Sequence, residues 1–190
     1  MRSLFYILFF IFAYNSSPTF ASAESNKIFV ENNCIDKVSF FNNIIEKKAN
    51  WKNPPNIIIC NGVNINKTRI KNAILFWERL GYSFGEVLEF SCPYDAQYRG
   101  AIYIMEPTNN FNFILMANTH TVYEEFLDKR KEIIGAWIEI PNKNITKPRV
   151  LEHEIGHALG FQHTIERYHI MNKEFSKGGT RTSGLNSNLH

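Results

Sequence analysis

Net charge is nearly missing from this chain: 21 Lys and Arg stand against 18 Asp and Glu, a formal +3 over 190 residues. The two signs are interspersed, so no basic stripe offers itself to a phosphate backbone, and nucleic acid is not an expected partner. Long hydrophobic runs are missing too. The longest, residues 4–13 (LFYILFFIFA), has ten residues, about half of what a spanning helix needs. Together with a mean hydropathy of −0.25, this excludes a multi-span membrane protein. Internal repeats and low-complexity tracts are absent, which excludes repeat and fibrous architectures. Cysteine is scarce: Cys34, Cys60 and Cys92 are the only three, and an odd count leaves at least one without an intrachain partner. What remains is ordinary, 44% hydrophobic and 21% charged residues, the composition of a globular domain.

The first 23 residues differ from the rest. Arg2, the short apolar run, a polar stretch and the small residues Ala21 and Ala23 follow the three-part order of a secretory signal peptide. The expected product is secreted or extracellular (periplasmic in a Gram-negative cell), with no stable membrane anchor after cleavage. An oxidising compartment permits disulfides. Cys60 and Cys92 each end an apolar run and flank a predicted helix. A Cys60–Cys92 bridge is therefore the expected pairing, with Cys34 free; the alternative is three small buried thiols.

Residues 24–54 are polar, with an apolar patch at 38–45, and read as an N-terminal lead-in or short pro-segment ahead of a domain at 55–190. Residues 56–60 (NIIIC) read as a buried strand. Asn66 is placed to cap a helix whose apolar positions are Ile70, Ala73, Ile74, Trp77 and Leu80, with Gly81 as its stop. Residues 87–91, 101–105 and 135–140 read as strands, and 115–122 as an extended segment. The charged stretch 124–132 (EEFLDKRKE) reads as a solvated loop or helical turn. Thr146 as cap and Pro148 in the first turn predict a helix from about 147 to 158 or 159. The order of elements predicts an α/β or α+β domain around one mixed sheet.

The chemistry lies in residues 151–163, LEHEIGHALGFQH. His153 and His157 are four apart, which on a helix stacks two imidazoles on one face. Glu154 follows the first, where a general base toward a metal-activated water belongs. Gly160 lets the chain leave the helix at positive φ, and the turn can return His163 as a third nitrogen ligand. Three histidines leave one tetrahedral position open, the mark of a catalytic rather than a structural zinc site. Met171 stands eight residues beyond His163. His120 and Asp128 have no spacing that supports an accessory site, and His169 and His190 are expected to be exposed.

The pattern His153-Glu154-x-x-His157-x-x-Gly160-x-x-His163, followed by Met171, is similar to the metzincin zinc peptidases. The gap to the methionine resembles the matrixin-like branch, and the C-terminal stretch resembles its small secreted bacterial members. The resemblance implies an α+β fold: a twisted mixed β-sheet with a backing helix, an active-site helix, and an antiparallel edge strand, here within 115–122, that pairs with extended substrate. It implies His153, His157 and His163 as ligands of one catalytic Zn²⁺, Glu154 as catalytic base and Met171 as the Met-turn residue. It implies hydrolysis of peptide bonds in a polypeptide substrate by a monomeric endopeptidase. Asn172-Lys173 after Met171 replaces both the proline usual in matrixins and the tyrosine of astacins, so no tyrosine ligand is expected. Cys34 is either a crude thiol block of the zinc or an inert residue. The alternative function is a non-catalytic, zinc-stabilised secreted binding module; the intact Glu154 argues against it, because a structural site needs no base.

Overall fold

The computed structural model describes residues 27–32, 45–92, 99–112 and 114–189. Residues 1–23, expected to be a signal peptide, lie outside them, as do Cys34 and His190. Among the described residues no helix is long and apolar enough to cross a membrane.

In chain order the elements are β1 (Lys27–Asn32), β2 (Asn50–Trp51), β3 (Asn56–Cys60), α1 (Lys67–Glu78), β4 (Val87–Phe90), β5 (Ala101–Met105), β6 (Asn118–Glu125), β7 (Lys131–Glu139), α2 (Asn142–Ile145) and α3 (Val150–Ala158). One seven-stranded sheet has the order β1-β6-β7-β5-β3-β4, with β2 pairing on β7. The β7–β5, β5–β3, β3–β4 and β2–β7 pairs are parallel; β6 is antiparallel to β7 and to β1. The fold is mixed α/β with a mostly parallel sheet. The lead-in contributes to it, since β1 and β2 both fall within residues 24–54.

Strand period and register place the core. Ile57, Ile102, Ala136 and Thr121 form one cross-strand row, and Ile59, Ile104, Ile138 and Thr119 the next. The isoleucines and Ala136 of these rows are buried in one cluster with Ile70, Ala73, Ile74 and Trp77 of α1 and with Val150, Leu151 and Ile155 of α3. On β6 both rows carry threonines beneath α3, where the hydrophobic cluster gives way to polar contacts. Asn66 caps α1 as expected, its side chain accepting from the Arg69 N–H at 2.8 Å. Cys60 and Cys92 are joined, with Cα atoms 5.2 Å apart, so the bridge ties the end of β3 to the chain leaving β4.

Three expectations are corrected. The loop expected over 124–132 is confined to 126–130: Glu124 and Glu125 end β6, and Lys131 and Glu132 begin β7. Phe126 N–H donates to Arg130 O at 2.9 Å, Lys129 takes φ +65°, and Asp128 receives the Arg130 N–H at 3.0 Å. The charges that suggested a solvated loop decorate the exposed end of a hairpin, where Lys131 faces Glu125 across the strands at 3.9 Å. The helix expected from about 147 does not start there. Thr146 ends the short α2, Arg149 adopts φ +73°, and α3 starts at Val150. Pro148 contributes to the break, because the residue before a proline is pushed out of the helical region. Finally, the extended segment within 115–122 is not an edge. β6 lies between β7 and β1, and β1 covers its outer side over Lys27↔Glu125 to Asn32↔His120.

Candidate metal centre

Helix α3 is held on two sides before any chemistry is considered. Glu152 in its first turn receives both Nη atoms of Arg69 of α1 at 2.7 Å each, and its carbonyl accepts the Trp77 indole N–H at 2.8 Å. A bidentate Arg–carboxylate pair fixes orientation as well as distance. On the sheet side the Thr121 hydroxyl donates to His157 O at 3.3 Å.

His153, His157 and His163 come together on this platform. Their Nε2 atoms lie 3.1 Å (His153–His157), 3.0 Å (His157–His163) and 3.2 Å (His153–His163) apart. The ring orientations are set by carbonyls. His153 Nδ1 donates to Ile170 O at 2.7 Å and His157 Nδ1 donates to Phe161 O at 2.8 Å. A neutral imidazole with its proton on Nδ1 presents a lone pair at Nε2. Burial, with the imidazoles of His153 and His163 alongside, holds His157 well below the usual histidine range. Two lone pairs facing each other at 3.1 Å cannot hydrogen-bond; they repel unless a cation lies between them. The donor set therefore fits a metal ion, and the spacing is close to the edge of roughly 3.3 Å expected of a tetrahedron with metal–nitrogen bonds of about 2.0–2.1 Å. Among the described residues no other histidine, cysteine or carboxylate cluster offers such a site.

Glu154, on the same helix, is 6% exposed and accepts the Thr119 hydroxyl at 2.6 Å on Oε2. Burial pushes its carboxyl up; the His153 imidazole and the Thr119 bond oppose this without cancelling it. Gly160 takes φ +98° and turns the chain, its carbonyl accepting the Lys48 N–H at 3.0 Å, so that His163 returns to the other two imidazoles. Met171 is fully buried beneath α3, and the turn that holds it also presents Ile170 O to His153.

His169 is not exposed. It is fully buried, accepting the Met171 N–H on Nδ1 at 3.0 Å and donating from Nε2 to Ser183 O at 3.0 Å. Desolvation lowers its pKa, in keeping with a neutral residue that pins the turn. Its flanking residues Tyr168 and Ile170 gave no sign of this. His120 lies outside the triad, stacked on Trp137 with centroids 4.7 Å apart and with Nε2 at 3.3 Å from Glu139 Oε2. Asp128 is at the hairpin turn. Sequence reasoning missed Thr119. Alternation along β6 put Thr119 and Thr121 on one face, but nothing local identified the helix above them.

A cleft of about 600 Å³ opens beside the imidazoles. It is lined by residues 114–119 leading into β6, by the chain after Met171, and by Arg149 and Val150 at the start of α3. No known protein family, curated protein or solved structure matches the chain.

Proposed function

We propose that this protein is a secreted zinc-dependent endopeptidase with a metzincin-like catalytic domain of the matrixin-like type. The observation that carries the reading is the convergence of three Nε2 lone pairs beside a buried carboxylate on the same helix. His153, His157 and His163 hold the ion. Zinc in such a site supplies Lewis acidity, lowering the pKa of a water and polarising a carbonyl oxygen. Glu154 takes the proton of the attacking water and delivers it to the leaving amine. The Thr119 hydroxyl occupies Oε2, which leaves Oε1 for that exchange. The backbone carbonyls of Ile170 and Phe161 keep His153 and His157 in the ligating tautomer, the usual second layer of a histidine–metal site.

An extended polypeptide needs a strand edge to lie against. The outer side of β6 is already paired with β1 as an antiparallel strand, so it can serve only when β1 is displaced; the chain leading into β6 lines the cleft. The reading therefore takes the outer side of β6 as the substrate's backbone partner.

The test is Glu154→Gln. Zinc content should stay at one ion per chain in both proteins, while peptide hydrolysis falls on the order of 10²–10⁴-fold. Equal cleavage by both would remove Glu154 from the mechanism. Zinc bound by both with no cleavage of any polypeptide would favour the binding module.

A further inference from the structure

The cleft wall contains a cation that the chemistry above does not use. Arg149 stands immediately before α3 at φ +73°, a left-handed conformation uncommon for a residue with a β-carbon. Its guanidinium carbon lies 4.8 Å from the centroid of the Phe175 ring. One Nη atom lies against Gly178, 3.3 Å from where a β-carbon there would stand. Both neighbours line the cleft. Among the described residues no carboxylate pairs with Arg149, and the acids around it are engaged elsewhere. Glu152 holds Arg69, Glu174 holds Lys177 at 2.7 Å, and Glu154 is tied to Thr119. A guanidinium seated over an aromatic face keeps its N–H donors at its edge, a fork that matches a carboxylate.

We infer that Arg149 makes this part of the cleft a subsite for an anionic side chain, Asp or Glu, flanking the scissile bond of the polypeptide. The inference rests on the peptidase reading of the site and names its substrate class. The left-handed backbone at residue 149 aims the side chain at the Phe175–Gly178 segment, so the cation sits in the same cleft as the imidazoles. A Lys or Arg side chain there meets a like charge, and an uncharged one leaves the fork without a partner.

Matched synthetic peptides carrying Glu, Gln or Lys beside the scissile bond, chosen from the cleavages wild type makes in a peptide library, test this. Wild type should prefer Glu over Gln by about 10–100-fold in kcat/KM, the range of a hydrogen bond to a charged group. The Glu:Gln ratio should collapse toward one in Arg149→Gln and turn toward Lys in Arg149→Glu. The comparison is a ratio within each protein, so lower yield or stability of a variant does not affect it. Equal rates on Glu and Gln peptides with the wild type would overturn the subsite and leave the peptidase reading intact. If wild type binds zinc but cleaves nothing, affinity of the zinc-loaded protein for the same peptides decides. Tighter binding of the Glu peptide, lost in Arg149→Gln, keeps the subsite while the peptidase reading falls. Equal binding overturns both.

Discussion

Replacing Gly160 by Ala tests whether the turn that returns His163 is as constrained as it looks. Two costs add. The residue sits at φ +98°, and a left-handed conformation costs an L-residue about 1–2 kcal/mol. The new β-carbon would also fall on the carbonyl oxygen of Ala49, closer than 3.0 Å, with Ile133 Cδ1 at 3.3 Å. The obstructing atom is backbone, anchored by the Lys48 N–H bond to Gly160 O and by the Gln162 N–H bond to Glu46 O, each 3.0 Å, so something must shift, and overpacking of this kind costs about 1–3 kcal/mol. The total is roughly 2–5 kcal/mol, or about 4–20 °C in Tm for a domain of this size. Gly100 provides the control: φ is +72°, and nothing lies within 4 Å of the position its β-carbon would take. Gly100→Ala should pay only the backbone cost, about 1–2 kcal/mol. Loss of unfolded-state entropy is common to both substitutions, so their difference isolates the collision. Thermal and urea unfolding of the two variants, with chelator competition for the metal, measure it. Because His163 lies three residues past the turn, metal affinity should also fall in Gly160→Ala, by on the order of 10–100-fold as when a ligand loses its support, and not in Gly100→Ala. A Tm for Gly160→Ala no lower than that of Gly100→Ala would refute the reasoning.

The remaining predictions concern the first strands and their surroundings. Burial lowers the Lys47 ammonium to about 8, with Nζ 4.7 Å from the Tyr82 ring centroid and 5.1 Å from that of Phe161. Between about 8 and the ordinary 10.5, the unfolded chain keeps a proton that the folded chain has released. Stability from this group therefore rises with pH across that window, and urea titrations at stepped pH should show a slope that Lys47→Met removes. Burial pushes the Tyr82 phenol up to about 12; the folded chain then holds its proton longer than the unfolded one, so its contribution reverses above about pH 10. If β6 offers its outer side to substrate, β1 competes for the same hydrogen bonds. A chain beginning at Asn33 should cleave peptides faster than the chain that keeps Lys27–Asn32, and equal rates would show that β1 is no competitor.

The parts of the fold that were legible in the sequence are those set by neighbours along the chain. The isoleucine runs of β3 and β5, and the Asn66 cap with the Ile70–Trp77 stripe, follow from local periodicity. The spacing of His153, His157, Gly160 and His163 is likewise local: one helical turn and one tight turn bring the imidazoles together. What was not legible depends on partners far away in sequence. The charges at both ends of 124–132 looked like loop because hairpin pairing, not composition, makes them strand ends. The start of α3 was misplaced because Thr146 and Pro148 resemble a helix opening, while the left-handed Arg149 is fixed against Phe175 and Gly178. The burial of His169 depends on Ser183, whose carbonyl takes its Nε2 proton from fourteen positions on, and that partner is not visible from the residues flanking it. The pairing of β1 with β6 joins segments about ninety positions apart, and no local pattern specifies such a pairing.

Two glutamates on α3 show how position alone assigns a role. Glu152 and Glu154 are two residues apart, about 200° around the helix, and so face opposite ways. Glu152 faces α1, and both of its oxygens are taken by Arg69. A carboxylate matched bidentately to a guanidinium has its charge neutralised and its geometry fixed, and it serves to dock one helix on another. Glu154 faces the sheet, where the cross-strand row of Ile59, Ile104 and Ile138 ends in Thr119. Here, among the described residues, the carboxylate's partner from another element is the Thr119 hydroxyl, a weaker donor that holds one oxygen without neutralising the charge. His153 and His157 lie on the face between these two directions, so the same helix presents a docking carboxylate, two imidazoles and a carboxylate still free to accept a proton. Exchanging the partners would abolish the arrangement. An arginine at position 119 would pair Glu154 and leave it no basicity to use, and a threonine at position 69 would leave α3 without its anchor. The capacity for chemistry thus resides in which carboxylate the fold leaves incompletely satisfied, and that choice is made by β6 and α1 rather than by the helix that carries the motif.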